Sequence, residues 1–513
     1  MMEPHPCQVL VMGDEVESIL TAISASQTGA KTVLARRSSG RLGGLSVRGG
    51  LSYMDITPEY LCGLFKTFLD RCGFIRVALN PDKADQVLRD MLQEAQVEVL
   101  SGVEAQLTLD GEGFPRQVVL TAPNQSVRLT PQVVIDATPD ADVARSLGLA
   151  YIQGLGGILG EDQDFLGISP VFRITGVLVA EFQAFEAQLR KNPLLPQILK
   201  EALPYHPSAL REELIDRPTY APEGQDYLDI LNPVIGIDYH CWRHGSARTY
   251  ADADILIDGG NVSRLADGSL GFNGLVAQAN ALNLGFDHLV GLSQDGPTPE
   301  VLYAEMREFE RYLREVGGFQ AACVIPPESL YVRQTATLMA RENMTARKAI
   351  EGGVPPEKSI GTFSYWLDLR GTQLWKLYPG EHLPKPVFNV GLDVVLPYVS
   401  PHAPCVQNFA FVSRSAGYSP IGQGAGRIVQ HNALLGEGVG IAAALAIRHQ
   451  KPLADIVDSA VPEIQTILKQ RLNGPLLLEG RPTWSLTEIE SSVLLKRDAA
   501  IVEAFKNPGM PVV

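Results

Sequence analysis

The segment Asp238-Tyr239-His240-Cys241-Trp242-Arg243-His244 gathers more reactive side chains than any other stretch of this 513-residue chain. A phenol or an imidazole can position a substrate or take its proton during a redox step, so Tyr239, His240 and His244 are the catalytic candidates. Read as a strand, alternation places Tyr239, Cys241 and Arg243 on one face and His240, Trp242 and His244 on the other. His240 and His244 also carry the spacing of a helical metal pair. No H-E-x-x-H glutamate lies between them, and no metal is expected. A packed aromatic strand with a wet edge explains the same residues without any chemistry. His402 and Cys405 form a second pair, in the loop before an apolar strand at 408–412. No Ser-His-Asp set, Walker loop or paired-carboxylate motif competes with these.

The elements that would position such groups begin at the amino terminus. Gln8-Val9-Leu10-Val11-Met12 is a short β-rich apolar run, followed by a Gly13-Asp14 turn. Val16, Ile19, Leu20 and Ile23 then recur at helical spacing up to Gly29, and Thr32-Val33-Leu34-Ala35 reads as a second buried strand. Strand, turn, helix and strand within about thirty residues is the unit that opens a doubly wound dinucleotide fold. Gly13-Asp14-Glu15-Val16-Glu17-Ser18 stands where a G-x-G-x-x-G fingerprint would, with only its first glycine kept. Further along, 57–72 and 81–95 read as helices, and 97–100, 117–122, 127–129 and 133–136 as strands. A Gly-rich stretch at 422–440 leads into an apolar helix at 441–449.

Five motifs in order give the sequence a family likeness. Arg41-Leu42-Gly43-Gly44-Leu45-Ser46 resembles the x-L-G-G-x-x loop of flavin-dependent oxidoreductases with a glutathione-reductase-type FAD domain. Ile135-Asp136-Ala137-Thr138-Pro139-Asp140-Ala141-Asp142 is similar to their D-A-T-G-D-A-D turn. Tyr331-Val332-Arg333-Gln334-Thr335, Asn408 through Arg414, and Arg427-Ile428-Val429 with Leu435 through Ala444 are similar to their V-R-E-T/S, N-L-x-V-A-G-R and closing segments. The resemblance implies FAD as cofactor, held by Gly13, Glu15, Arg36, Arg37, Leu42, Gly43, Gly44, Ser46, Ala105, Ala137, Thr138, Arg414, Gly436 and Gly440. Under it, Gly43 and Gly44 leave room for the pyrophosphate and ribityl chain. A helix beginning near Gly440 points its amino terminus at the flavin.

The departures from the family pattern are equally specific. Arg36-Arg37 replaces the acidic residue that binds the adenosine ribose, Pro139 and Ser413 replace glycines, and Glu15 brings a carboxylate toward the phosphates. At ~4 Å and an effective dielectric near 20, each such like-charge contact costs on the order of 4 kcal/mol. These changes leave open a flavin-free descendant of the fold that acts as a binding or scaffold protein.

The expected fold class is α/β. An FAD/NAD(P)-binding Rossmann-like domain at 1–148 and 327–450 encloses an α+β substrate domain at 149–326, with a helical segment at 451–513. The expected function is hydride transfer from a small-molecule substrate to flavin N5, with the substrate, the electron acceptor and the oligomeric state unspecified. Lys plus Arg number 43 against 58 Asp plus Glu, a net charge of -15 that argues against nucleic acid as a partner. The longest apolar stretch, 439–447, falls short of the ~20 residues a membrane span needs. Six scattered cysteines without a C-x-x-C pair fit a cytoplasmic, reducing location.

Overall fold

A computed structural model describes residues 6–506 apart from 75–77, 124, 159–164, 206–207, 209–210, 213–233, 266, 281, 373–377, 379–381, 400–404 and 473–475. His402 therefore lies outside the described residues.

The apolar run at the start forms β1 (Val9–Met12), α1 (Val16–Gln27) follows, and β2 is Thr32–Arg36. Val16, Ile19, Leu20 and Ile23 on α1 are buried, and Gly29 leaves the helix at φ +105. The Gly-rich loop contains a single turn, α2 (Gly44–Val47), before α3 (Gly63–Cys72) and α4 (Pro81–Glu94). Residues 58–60, read from sequence as part of one long helix, form a separate 3-10 turn. An Asn80 side chain accepting the amides of Asp82 and Lys83 starts α4. Next come β3 (Glu98–Ser101), β4 (Glu104–Leu109), β5 (Pro115–Ala122), β6 (Gln125–Leu129), β7 (Val133–Asp136) and α5 (Asp142–Ser146).

The second part of the chain supplies β8 (Tyr151–Gln153), β9 (Ile168–Ser169), β10 (Phe172–Thr175), α6 (Val179–Arg190), α7 (Leu195–Ala202) and α8 (Val234–His244). It continues with β11 (Ile255–Arg264), β12 (Leu270–Ala277), α9 (Phe286–Ser293), α10 (Glu300–Glu315), β13 (Cys323–Ile325) and β14 (Tyr331–Val332). The chain then returns to the first sheet through β15 (Ala336–Leu338), α11 (Ala346–Ile350), β16 (Ser359–Ser364), β17 (Val387–Gly391), β18 (Phe409–Phe411), α12 (Gln423–Gly426) and α13 (Val429–His449). It closes with α14 (Leu453–Ser459), α15 (Val461–Arg471), α16 (Leu486–Ser491) and α17 (Val493–Lys506).

The first sheet is parallel, Rossmann-like and ordered β18-β7-β1-β2-β3. Val9 faces Thr32 on one side and Val133 on the other, so β1 is buried between neighbours and needs apolar residues on both faces. After β1 the chain crosses to β2 on one side, whereas β7 arrives on the other. The carboxyl ends of β1, β2 and β7 thus surround the point where strand order reverses, the position at which open α/β sheets bind ligands. The second sheet, ordered β13-β10-β12-β9-β14 with β11 on β12, is largely antiparallel and packs Phe172, Phe272, Phe309, Tyr239 and Tyr312 in its own core. No helix among the described residues is long and apolar enough to cross a membrane.

Two sequence expectations need correcting here. Residues 234–244 are a helix, not a strand: Ile235 and Tyr239, one turn apart, pack into the second core, and Val234 and Ile237 pack into a smaller cluster with Leu199 and Tyr250. The closing helix begins at Val429, not near Gly440, so Gly436 and Gly440 lie inside it. A Cβ on Gly436 would stand 2.2 Å from Thr21 Oγ1, and one on Gly440 would stand 2.5 Å from the Thr21 carbonyl. Both glycines therefore let α13 cross α1 at close range.

Candidate functional site

A crevice of about 400 Å³ opens at the switch point of the first sheet. Its floor is the turn after β1, with Gly13, Asp14 and Glu15; its sides carry Arg37, Gly44, Ala105 and Thr138. Gly13 sits at φ +150, and a Cβ there would fall 2.4 Å from the Ala137 carbonyl, so the turn tolerates no side chain. Ser18, in place of the third fingerprint glycine, donates to the same Ala137 carbonyl at 2.8 Å. It ties α1 to the end of β7 where the family uses bare backbone. Asp136 accepts from the Thr138 amide and hydroxyl at 3.1 and 2.7 Å, and burial pushes its carboxyl up to about 6. That ties down the turn that presents Thr138 to the crevice.

The charged groups of the crevice pair with one another. Glu15 is 7% exposed; its carboxylate accepts the Leu45 amide at 2.8 Å and meets the Arg414 guanidinium at 3.2 Å. Asp14 is clamped between Arg36 Nη1 at 2.9 Å and Arg48. Burial raises the Asp14 carboxyl to about 7 against the pull of Arg48 and Arg36. Glu17, two residues after Glu15, is also raised to about 7, by burial and then by the Glu15 charge. Asp140 is raised to about 6 by burial, opposed by Arg414. Burial works against the charge of Arg414, but Glu15, Asp140 and Glu17 more than offset it and keep the guanidinium protonated. Ser413, immediately before it, holds φ +93 in place of the family glycine, a backbone conformation that costs a residue with a side chain.

The other expected ligand residues divide. Arg36 is 1% exposed and is spent on Asp14 and the Ser38 carbonyl, so it holds the turn together from behind. Arg37 does line the crevice and donates to Gln294 at 2.6 Å. Leu42 is buried, and its amide donates to Asp85. Gly43 is not among the residues lining the crevice, and a Cβ on it would meet Val47 and Leu88 at 2.7 and 2.8 Å. Gly44 does face the crevice, and a Cβ there would stand 2.5 Å from Glu15 Oε2. Ser46 is fully buried and its hydroxyl has no hydrogen-bond partner among the described residues.

The segment 290–295, at and beyond the end of α9, straps over the crevice and escaped the sequence reading. Ser293 accepts from Arg414 at 3.2 Å, Gln294 donates to Asp142 at 2.8 Å, and Asp295 meets Arg48 at 3.3 Å. These partners lie 121, 152 and 247 residues away in sequence, and no local pattern announces them.

The catalytic candidates of the sequence reading sit elsewhere. Tyr239 packs edge-on against Phe309 and Tyr312 and donates to Glu305. His240 and His244 lie one helical turn apart with ring centroids 4.5 Å apart and ring planes tilted by 44°, and burial lowers His240 to about 4. None of the three lines the crevice. Cys405 is exposed. A different polar cluster, between the two sheets, joins Arg427 to Tyr331 at 2.6 Å and to Asp368 at 2.5 Å, and Arg370 to Asp258. Asp55 borders it, with its carboxyl raised to about 6 by burial and then by Asp368, against the pull of Arg427.

A family model described as FAD dependent oxidoreductase matches residues 8–468. No curated protein matches the chain. Among solved structures, the anhydrotetracycline hydroxylase OxyS from Streptomyces rimosus is 10% identical over 98% of this chain and 70% of that chain, with a TM-score of 0.41. A geranylgeranyl bacteriochlorophyll reductase-like protein from Thermoplasma acidophilum is 12% identical over 99% and 98%, and the p-nitrophenol 4-monooxygenase PnpA from Pseudomonas putida DLL-E4 is 10% identical over 98% and 95%, both at 0.41.

Proposed function

The chain belongs to the FAD-dependent oxidoreductase family, and from that premise we propose that it oxidises a small organic substrate by hydride transfer to flavin N5. The observation that carries this reading is the crevice at the sheet's switch point, lined by Gly13, Gly44, Ala105 and Thr138. FAD is the family's cofactor, and the residues fit its adenosine half as they stand: the space beside Ala105 and Arg37 is open. The diphosphate position fits once the Glu15 side chain turns aside, since Gly44 offers no Cβ and Arg414 supplies the cation.

Bound there, FAD would supply an acceptor for the hydride and the protein would supply position and electrostatics. Arg37 and Thr138 would hold the adenosine side, Gly44 and Arg414 the diphosphate. The strap at 290–295 would exclude water above it. Residues 149–326 would form the substrate-binding insertion, and the cluster of Tyr331, Arg427 and Asp368 between the sheets would orient the substrate. Asp55 would accept the substrate's proton, because a carboxyl near 6 is poised to exchange protons close to neutral pH.

Adding FAD to the flavin-free protein should perturb the flavin's visible spectrum, and an anaerobic substrate screen should find compounds that bleach it. Asp55→Asn should then abolish the acid limb of the bleaching rate. A protein that leaves the spectrum unchanged in excess FAD would be a flavin-free binding or scaffold protein instead.

A further inference from the structure

The Glu15 carboxylate occupies the crevice in the manner of a bound anion. It accepts the Leu45 amide at 2.8 Å and meets Arg414 at 3.2 Å. It also fills the space that the missing Gly44 Cβ leaves, 2.5 Å from where that atom would stand. Those are the groups that the turn and loop present to a diphosphate: a backbone N–H, a glycine with no side chain, and a buried guanidinium.

The backbone that carries Glu15 is fixed. Its residue pairs with Gly43 across a parallel bridge, and the Gly43 amide donates to the Asp14 carbonyl at 3.1 Å. Only the side chain is free to leave, and the cavity beside it is already open. Without this carboxylate Arg414, 7% exposed, would keep the Ser293 hydroxyl at 3.2 Å and the more distant charges of Asp140 and Glu17. Glu15 thus gives Arg414 a direct counter-charge while no anion is bound.

We propose that Glu15 is an internal ligand of the diphosphate cradle, competing with the dinucleotide for the Leu45 amide and Arg414, so that FAD binds by displacing it and remains exchangeable. This rests on the reading that FAD lies in this crevice. The consequence is a protein that is stable with and without flavin, and whose affinity for an adenine dinucleotide is set by a single side chain.

Fluorescence titration of the flavin-free protein with FAD, and thermal-shift titration with ADP, test this in wild type, Glu15→Ala and Glu15→Gln. ADP carries the adenosine and diphosphate without the isoalloxazine. The expected result is at least a tenfold lower Kd for both ligands in Glu15→Ala. A smaller gain is expected in Glu15→Gln, which keeps an acceptor for the Leu45 amide and loses the charge. Equal Kd values in all three proteins, with FAD bound, would overturn the internal-ligand proposal and leave the cofactor reading standing. Tighter ADP with no FAD binding in any variant would overturn the cofactor reading and leave the competition standing. No binding of either ligand to any variant would overturn both. Should Glu15→Ala fail to fold, Glu15→Gln alone decides, since it is isosteric.

Discussion

Gly436 lies so close to Thr21 that an added Cβ would stand 2.2 Å from the threonine Oγ1 and 3.0 Å from the Glu17 carbonyl. One turn along, Ser24 donates to the Glu437 carbonyl at 2.7 Å, so α1 and α13 meet backbone to backbone behind the crevice. Gly436→Ala should force the helices apart and cost about 1–3 kcal/mol, read as a lower urea midpoint at unchanged m-value. Because α1 carries Glu15 at its start, the same variant should also loosen FAD binding.

The buried carboxyls give stability a pH dependence of known sign. Asp14 and Glu17 stand near 7 in the folded protein against 3.8 and 4.5 ordinarily, so folding holds more protons than unfolding across that window. Their contribution is full below about pH 4 and is lost as pH rises through about 7. His431 acts in the opposite sense. It is ringed by Phe363, Phe388 and Tyr418, neither ring nitrogen has a hydrogen-bond partner among the described residues, and burial lowers it to about 3. Its contribution is present above 6.5 and fades as pH falls. Denaturant midpoints should therefore fall as pH rises from about 4.5 to 7, and His431→Phe, which removes an opposing contribution, should steepen that fall below about pH 6.5. FAD affinity should fall about tenfold between about pH 6 and 8, as Asp14 ionises beside the diphosphate.

Asp498, on the last helix, is fully buried and accepts from Ser419 Oγ at 2.5 Å, the Ile421 amide at 2.8 Å and the Ala346 amide at 3.0 Å. Asp498→Ala would leave the Ser419 hydroxyl and the Ile421 amide without an acceptor, and the Ala346 amide with only its longer bond to Ser419 Oγ at 3.2 Å. A loss of about 3 kcal/mol in chemical denaturation is expected, with the parallel sheet and its crevice still formed at low denaturant. A loss below about 1 kcal/mol would mean that water replaces the carboxylate.

What the sequence discloses is local. β1, α1 and β2 are legible because a buried parallel strand must be apolar throughout and the helix repeats its apolar residues within twelve positions. β4 is missed because none of its residues is fully buried: Ala105, Leu107 and Leu109 are only partly covered and alternate with exposed polar residues. The start of α13 is misread because glycine normally signals a break. Here the glycines answer to Thr21 and Ile360, far away in the chain. The 238–244 cluster looks chemical because reactive side chains are adjacent in sequence, yet a helix turns Tyr239 into the core and sets the two histidines against each other. Glu15 was legible as a charge aimed at phosphates. Its partner Arg414, 399 residues later, was legible only as a residue near the cofactor.

Calorimetric titration of the flavin-free protein with FAD and, separately, with FMN tests most directly whether an adenine dinucleotide lies across the first sheet. The crevice offers its contacts to adenosine and diphosphate, so FAD should bind at one site per chain and FMN at least a hundredfold more weakly. Equal affinity for the two flavins, or heat from neither, would contradict the placement of the cofactor in this crevice.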